Sequence, residues 1–197
     1  NETIHQFGQL DLLINNAGIS MRALFADCDL SVIESVMAIN FWGTVYCTRY
    51  AMPYLLKSKG TVVGVSSIAG IKGLPARTGY SASKFAMHGF LESLRIENRK
   101  TGLHVLIACP GYTASNIRKS ALNNIGKNQA ESPVDESKLM QPEEVANAIF
   151  KAIAKRQSYL YLTLQGKLVH FLNKFFPIQL DHIVFKTVAK EKDSPFV

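Results

Sequence analysis

The sequence is poor in the residues that mark several protein classes. Its three cysteines, Cys28, Cys47 and Cys109, are far apart, with no Cys-x-x-Cys pair. A sparse, odd set excludes a disulfide framework and suits reduced, buried thiols in a cytoplasmic compartment. The five histidines show no spacing that would put a pair on one metal ion, so no structural metal is expected. No apolar run reaches the roughly 18 residues needed to cross a bilayer. Internal repeats, heptads, zinc-finger spacings and RNA-binding signatures are also missing. What remains is a chain of 197 residues, 47% hydrophobic and 19% charged, which suits one globular domain with a sizeable core.

The net charge of +7 is unevenly placed. Residues 72–127 hold nine basic side chains (among them Lys72, Arg77, Lys84 and Arg118) against two acids, Glu92 and Glu97. That difference equals the whole excess. A nucleic-acid surface is one reading. Without interleaved aromatics or a basic recognition helix, solvated helix faces and an anionic small ligand are the favoured one, and no nucleic-acid partner is expected.

Strand-like and helix-like runs alternate. Residues 10–15, 61–66 and 103–108 are short and nearly all apolar, as in strands buried on both faces of a parallel sheet, and 159–163 is a fourth candidate. Ser31 to Leu56 carries apolar residues at helical spacing, with Asp29 or Ser31 as cap and Pro53 expected to kink or end the regular hydrogen bonding. Ser81 to Arg99 predicts a helix stopped by Gly102, and Pro142-Glu143-Glu144 opens another. The alternation predicts an α/β sheet with helices on both faces. Residues 113–141 are polar and read as a mobile excursion with a short helix near 115–123, either a binding loop or a plain insertion. From Gly166 onward, Leu168, Val169, Phe171, Leu172, Phe175 and Phe176 form an apolar stripe flanked by lysines, and a second follows Pro177. The stripes predict an amphipathic extension, 166–197, of a catalytic domain spanning 1–165. It would pack on its own domain or a second subunit, or make peripheral membrane contact through 166–190, or close over an apolar substrate.

Chemistry concentrates at Tyr80 and Lys84. Four residues is about one helical turn, so phenol and ammonium share a face. A free tyrosine has a pKa of roughly 10, and a neighbouring cation favours the phenolate. The pair reads as a tuned acid and base for a carbonyl or an alcohol. Alone, the spacing more often describes a helix with one exposed aromatic and one solvated lysine.

Four further features accompany it: Asn15-Asn16-Ala17-Gly18 after the first strand, Asn40 in mid-helix, Ser67 at the end of the second strand and thirteen residues before Tyr80, and Pro110-Gly111-Tyr112-Thr113 after the third. In this order they resemble the classical branch of the short-chain dehydrogenase/reductase family, over residues 5 to about 163. The resemblance implies a Rossmann-like doubly wound parallel sheet, strands four to seven of the family's order 3-2-1-4-5-6-7. It implies an NAD(P)(H)-dependent oxidoreductase interconverting a carbonyl and a secondary alcohol, usually as a homodimer or homotetramer.

Implied roles follow residue by residue. Tyr80 exchanges the proton, and Lys84 lowers its pKa and bonds the nicotinamide ribose. Ser67 holds the substrate oxygen, and Asn40 anchors a water in a proton relay. Asn16, Ala17 and Gly18 border the adenosine side, Pro110 and Gly111 lie against the nicotinamide, and Thr113 contacts its carboxamide or the pyrophosphate. Tyr112 departs from the branched aliphatic usual there. His88, one turn beyond Lys84, reads as a packing or surface histidine. The phenylalanine-rich tail suggests an apolar substrate. The family's glycine-rich fingerprint does not occur in the 197 residues. A further roughly 70–90 residues ahead of Asn1 are expected, at about 30 residues per βαβ unit. As it stands, the piece reads alternatively as an inactive fragment or a binding module. A sugar-nucleotide epimerase shares the Tyr–Lys spacing but lacks the Asn-Asn-Ala-Gly turn and Asn40.

Overall fold

Four apolar runs become four parallel strands in a computed structural model that describes residues 2–196. They are β1 (Leu12–Asn15), β2 (Thr61–Val65), β3 (His104–Cys109) and β4 (Tyr159–Tyr161), side by side in sequence order. Leu13 pairs with Val62, Val63 with Leu106 and Ile107 with Tyr159. Parallel neighbours need a crossover, and each crossover here carries a helix. The sheet is the Rossmann-like arrangement expected, and it corresponds to the last four strands of that fold.

Successive side chains of a strand point to opposite faces, so β2 and β3 feed two cores. Val62, Val105 and Ile107 pack with Leu55, Leu91 and Leu94 on one side. Val63, Leu106 and Ala108 pack with Val145, Ile149 and Ala152 on the other. The first group of helical residues comes from α3 (Gly43–Ser58) and α4 (Thr78–Glu97), the second from α5 (Pro142–Ala154). A short exposed α1 (Glu2–Phe7) precedes β1.

The helix expected over 31–56 runs from Leu30 to Ser58 and departs from α geometry in an unexpected place. After α2 (Leu30–Met37), residues Ala38–Trp42 form a π turn before α3 begins. Pro53 neither ends α3 nor marks this irregularity. It removes one N–H donor, and the helix continues past it to a left-handed cap at Lys59, φ 52°. Asp29 occupies the N-cap, but its side chain makes no capping bond. By length and composition, Leu30–Ser58 is apolar enough to cross a membrane, a property the count of uninterrupted apolar residues missed. Its Asn40, Thr44, Thr48 and Leu55 nevertheless face the protein interior. The helix expected over 81–99 ends at Glu97 with Asn98 as its cap, and Gly102, at φ 87°, closes the turn that follows.

The helix expected near 115–123 is replaced by turns. Asn123 Oδ1 accepts from the backbone N–H groups of Ile125 and Lys127 at 3.1 and 2.9 Å, an alternative to helical bonding that asparagine offers readily. Thr113 bridges to Met140, closing the two ends of the excursion on each other, and Leu122 in its middle bridges to Met21 of the body. The C-terminal stripes form α6 (Leu164–Phe175) and α7 (Pro177–Ala189). Cys109 is buried, but Cys28 is half-buried and Cys47 exposed, so the expectation of buried thiols holds for one residue of three.

The basic segment is neutralised from later in the chain. Lys72 pairs with Asp181 at 2.6 Å, Arg77 with Glu191 at 2.6 Å and Arg118 with Glu136 at 2.5 Å.

Candidate active site

The carboxyl ends of β1, β2 and β3 open onto one cavity of about 790 Å³. Open parallel sheets bind ligands at that edge, because the loops leaving adjacent strands diverge there. Asn16, Ala17 and Gly18 follow β1, Ser66 and Ser67 follow β2, and Pro110, Gly111 and Thr113 follow β3; all line the cavity, as do Tyr80 and Lys84 from the first turns of α4.

Asn40 is fully buried inside the π turn. Its Oδ1 accepts from Ile19 N–H at 2.8 Å, and its Nδ2 donates to Ile19 O and Ser83 Oγ, both at 2.9 Å. Ser83 Oγ in turn donates to Tyr80 O at 2.7 Å. A Cβ added to Gly18 would lie 3.2 Å from Asn40 Oδ1 and 3.4 Å from Lys84 Nζ. Only glycine leaves that space open for a ligand beside the ammonium. Asn40 thus positions the Gly18 loop and α4, and it is absent from the cavity wall.

Lys84 is 3% exposed. Its Nζ donates to Val65 O at 2.9 Å and stands 5.7 Å from the centroid of the Tyr80 ring. Burial lowers its pKa from 10.5 to about 8. The expected effect of Lys84 on Tyr80 is not what the free site shows. Burial pushes the Tyr80 phenol above its ordinary value, opposed by a hydrogen bond with Ser67 and the charges of Arg118 and Arg77. The physical reason is burial of the phenol, while Lys84 is pinned to the Val65 carbonyl and stands 5.7 Å from the ring centroid. Near neutral pH the phenol therefore keeps its proton and is an acid in waiting.

The two serines divide cleanly. Ser66, 4% exposed, bonds His88 Nε2 at 2.8 Å through Oγ. Ser67 accepts from Ala69 N–H at 3.1 Å, capping a 3-10 turn (Ile68–Gly70), and bonds Tyr80. His88 is held away from the cavity by Ser66, with Cys109 Sγ 3.7 Å from it, and burial lowers its pKa. It is a packing histidine. Thr113 Oγ1 donates to Gly111 O at 3.2 Å, fixing the turn after β3. Tyr112 turns its hydroxyl to Glu191 Oε1 at 3.1 Å and leaves its backbone in the cavity wall.

Sequence reasoning missed Arg77, Arg118 and Glu191. The two arginines were visible only as members of a basic stretch, and nothing in the local sequence marked Glu191. Arg118 forks onto both Glu136 oxygens and donates to Thr113 O. The glycine cradle, the buried ammonium and the two hydroxyls fit the ribose and nicotinamide end of a dinucleotide, and the cavity is in the usual range of roughly 300–1,000 Å³ for small-ligand sites.

A family model for short chain dehydrogenase matches residues 1–126. The chain belongs to the short-chain dehydrogenase family. This short-chain dehydrogenase is 36% identical over 161 residues to dehydrogenase/reductase SDR family member 7B of Xenopus tropicalis, covering 81% of the chain and 52% of that protein. It is 35% identical over 188 residues to 11-beta-hydroxysteroid dehydrogenase-like 2 of Arabidopsis thaliana, covering 93% of the chain and 58% of that protein. The chain spans about half the length of the curated relatives it matches. Among solved structures, a short chain dehydrogenase from Burkholderia cenocepacia in complex with NADP superposes with a TM-score of 0.77 at 21% identity, over 93% of this chain and 72% of that one. That likeness concerns the fold.

Proposed function

We propose that this short-chain dehydrogenase is the catalytic portion of an NAD(P)(H)-dependent oxidoreductase that interconverts a carbonyl and a secondary alcohol. The observation that carries the reading is the meeting of Tyr80, Ser67 and Lys84 in one cavity beside the Gly18 cradle. When bound, the nicotinamide supplies or accepts the hydride. Lys84 and the backbone around Gly18 would hold its ribose, with Asn16 and Ala17 toward the adenosine side and Pro110, Gly111 and Thr113 against the ring and its carboxamide.

In reduction, Ser67 Oγ donates a hydrogen bond to the carbonyl oxygen, where negative charge develops. Tyr80 Oη gives its proton to that oxygen. Lys84 Nζ, cationic below about pH 8, then faces the phenolate left behind. Asn40 keeps the Gly18 loop and the start of α4 in register through Ile19 and Ser83. The far wall, with Leu180, Ile183, Val184 and Val188 from α7, is apolar and favours an apolar carbonyl substrate. Relatives with hydroxysteroid dehydrogenase-like names agree with that substrate class.

Residues 1–165 are taken as the catalytic body and 166–197 as its helical extension. Trp42, Tyr46, Tyr50 and Tyr54 are exposed along the long helix and Phe85 along α4, a surface suited to pairing with a second copy. Leu168, Phe171, Phe175 and Phe176 are half-exposed beside Lys167 and Lys174, a surface suited to peripheral contact with an anionic membrane. A second reading is a catalytically inactive fragment or a non-enzymatic binding module. Oxidation of NADPH or NADH by the full-length protein with apolar ketones separates the two. Turnover supports the oxidoreductase, and nucleotide binding without turnover on any ketone supports the module.

A further inference from the structure

One carboxylate near the end of the chain gathers three loops of the site. Glu191 follows α7, and its side chain is 5% exposed. Its Oε2 lies 2.6 Å from Arg77 Nη2 and 3.6 Å from Arg22 Nη2, and its Oε1 accepts from Tyr112 Oη at 3.1 Å. Arg22 stands four residues after Gly18, Arg77 three residues before Tyr80, and Tyr112 directly after Gly111. Each partner therefore belongs to a different active-site segment. Arg22 Nη2 also donates to Lys192 O at 2.6 Å, so both the side chain and the backbone of this short segment are held.

The other end of α7 is fastened to the same stretch of chain. Lys72 Nζ donates to Pro177 O at 3.0 Å and pairs with Asp181 at 2.6 Å, and Asn173 Nδ2 donates to Ile71 O at 2.8 Å. The segment between Ser67 and Tyr80 thus grips α7 at both ends. Between the grips, Leu180 and Val188 are buried, and Ile183, Val184 and Thr187 face the cavity. The two fastenings differ in kind: Asp181 is 55% exposed, whereas Glu191 is enclosed by two guanidiniums. An exposed ion pair holds weakly, and a buried charge that loses its partner is expensive.

We infer that Glu191 is a positioning residue that clasps α7 over the cavity as its substrate-facing roof, so that removing the carboxylate opens the roof and weakens binding of bulky apolar substrates. It touches no substrate itself. Without it, Arg77 loses its ion-pair partner, Arg22 keeps the weaker attraction of Asp193, and Tyr112 loses its acceptor. The inference builds on the oxidoreductase reading, but the clasp has a readout independent of turnover.

The test is hydrogen exchange over residues 180–188 of the full chain, joined to kinetics with one bulky and one small ketone, in wild type, Glu191→Ala, Glu191→Gln, Glu191→Asp and Lys186→Ala. Exchange over 180–188 should rise about tenfold or more in Glu191→Ala, rise less in Glu191→Gln and return part-way in Glu191→Asp. KM for the bulky ketone should rise about tenfold, with kcat within about threefold and KM for the small ketone nearly constant. Lys186, exposed on the outer side of α7, should move none of these. Unchanged exchange in both Glu191→Ala and Glu191→Gln overturns the clasp, as does an equal KM rise for both ketones. If the wild type turns over no ketone, the oxidoreductase reading fails and the exchange arm still decides the clasp.

Discussion

Asn40 Nδ2 donates to Ser83 Oγ at 2.9 Å, and that bond joins the π turn of the long helix to the helix that carries Tyr80 and Lys84. π turns leave the regular ladder and occur often at functional sites. Here the widened turn sets a fully buried amide against Ile19 and Ser83. Three hydrogen bonds then fix the relative place of the Gly18 loop and the start of the helix that carries Tyr80.

Asn40→Ala should therefore destabilise the fold before any question of catalysis arises. It removes the partners of the Ile19 N–H and C=O in a part-buried place, and each group left unsatisfied costs up to about 1–3 kcal/mol. Urea unfolding should show a loss of about 2–5 kcal/mol. A loss under about 1 kcal/mol would mean that water replaces the amide freely and that Asn40 is not the joint described.

Ser67 and Ser66 are neighbours with separate duties, and their alanine variants should part accordingly. Ser67→Ala should lower kcat by roughly 10²–10³ and, because the Ala69 N–H loses its cap, cost about 1 kcal/mol of stability as well. Ser66→Ala loses one bond, to His88, and should cost about 1 kcal/mol of stability with little change in kcat. The reverse pattern would assign the substrate oxygen to Ser66.

Lys84 gives a stability prediction with a definite sign. Its native pKa, about 8, lies below its ordinary 10.5. Between those values the unfolded chain holds the proton that the native chain gives up, so native stability rises with pH across this window. Below pH 8 the whole cost of burying the cation is present, on the order of 3 kcal/mol. Lys84→Met should thus be more stable than wild type at pH 7, and its advantage should shrink toward pH 10. A difference that does not vary with pH would show that the ammonium is not desolvated.

The half-exposed phenylalanines of α6 carry the membrane proposal. Phe171 and Phe175 lie 5.0 Å apart between ring centroids, with Lys174 beside them. Replacing both with serine should reduce co-sedimentation with anionic vesicles several-fold, because each buried aromatic contributes about 1.5–3 kcal/mol on leaving water. Equal sedimentation of the two proteins would remove membrane contact and leave this face to a protein partner.

Much of this architecture was legible in the sequence, for physical reasons that also mark where legibility stopped. Strands buried on both faces read as unbroken apolar runs, so Val62, Val63, Leu106 and Ile107 announced the sheet. The spacing of Tyr80 and Lys84 on one helix, with Ser67 thirteen residues ahead at the end of a strand, announced the residues that meet in the cavity. The π turn could not be read, because its cause is a long-range amide bond to Ile19 and Ser83. Pro53 does not end the helix, because one missing N–H is tolerated in a helix held by tertiary packing. A short helix is expected near 115–123, but the segment forms turns, and Asn123 bonds the backbone just after it instead. The electrostatics of Tyr80 were misjudged for the same kind of reason. Spacing puts Lys84 on the right face, while burial and the Val65 carbonyl decide where its charge points. Glu191 lies 114 residues from Arg77, a separation that no local pattern spans.

The account rests on the Tyr80 phenol acting as the proton donor at this cavity. The most direct measurement is kcat for ketone reduction by the full-length protein with Tyr80→Phe, beside NADPH affinity from bound-nucleotide fluorescence. The account predicts a loss of roughly 10²–10⁴ in kcat with affinity within about threefold of wild type. A variant retaining more than about a tenth of the wild-type rate would contradict it.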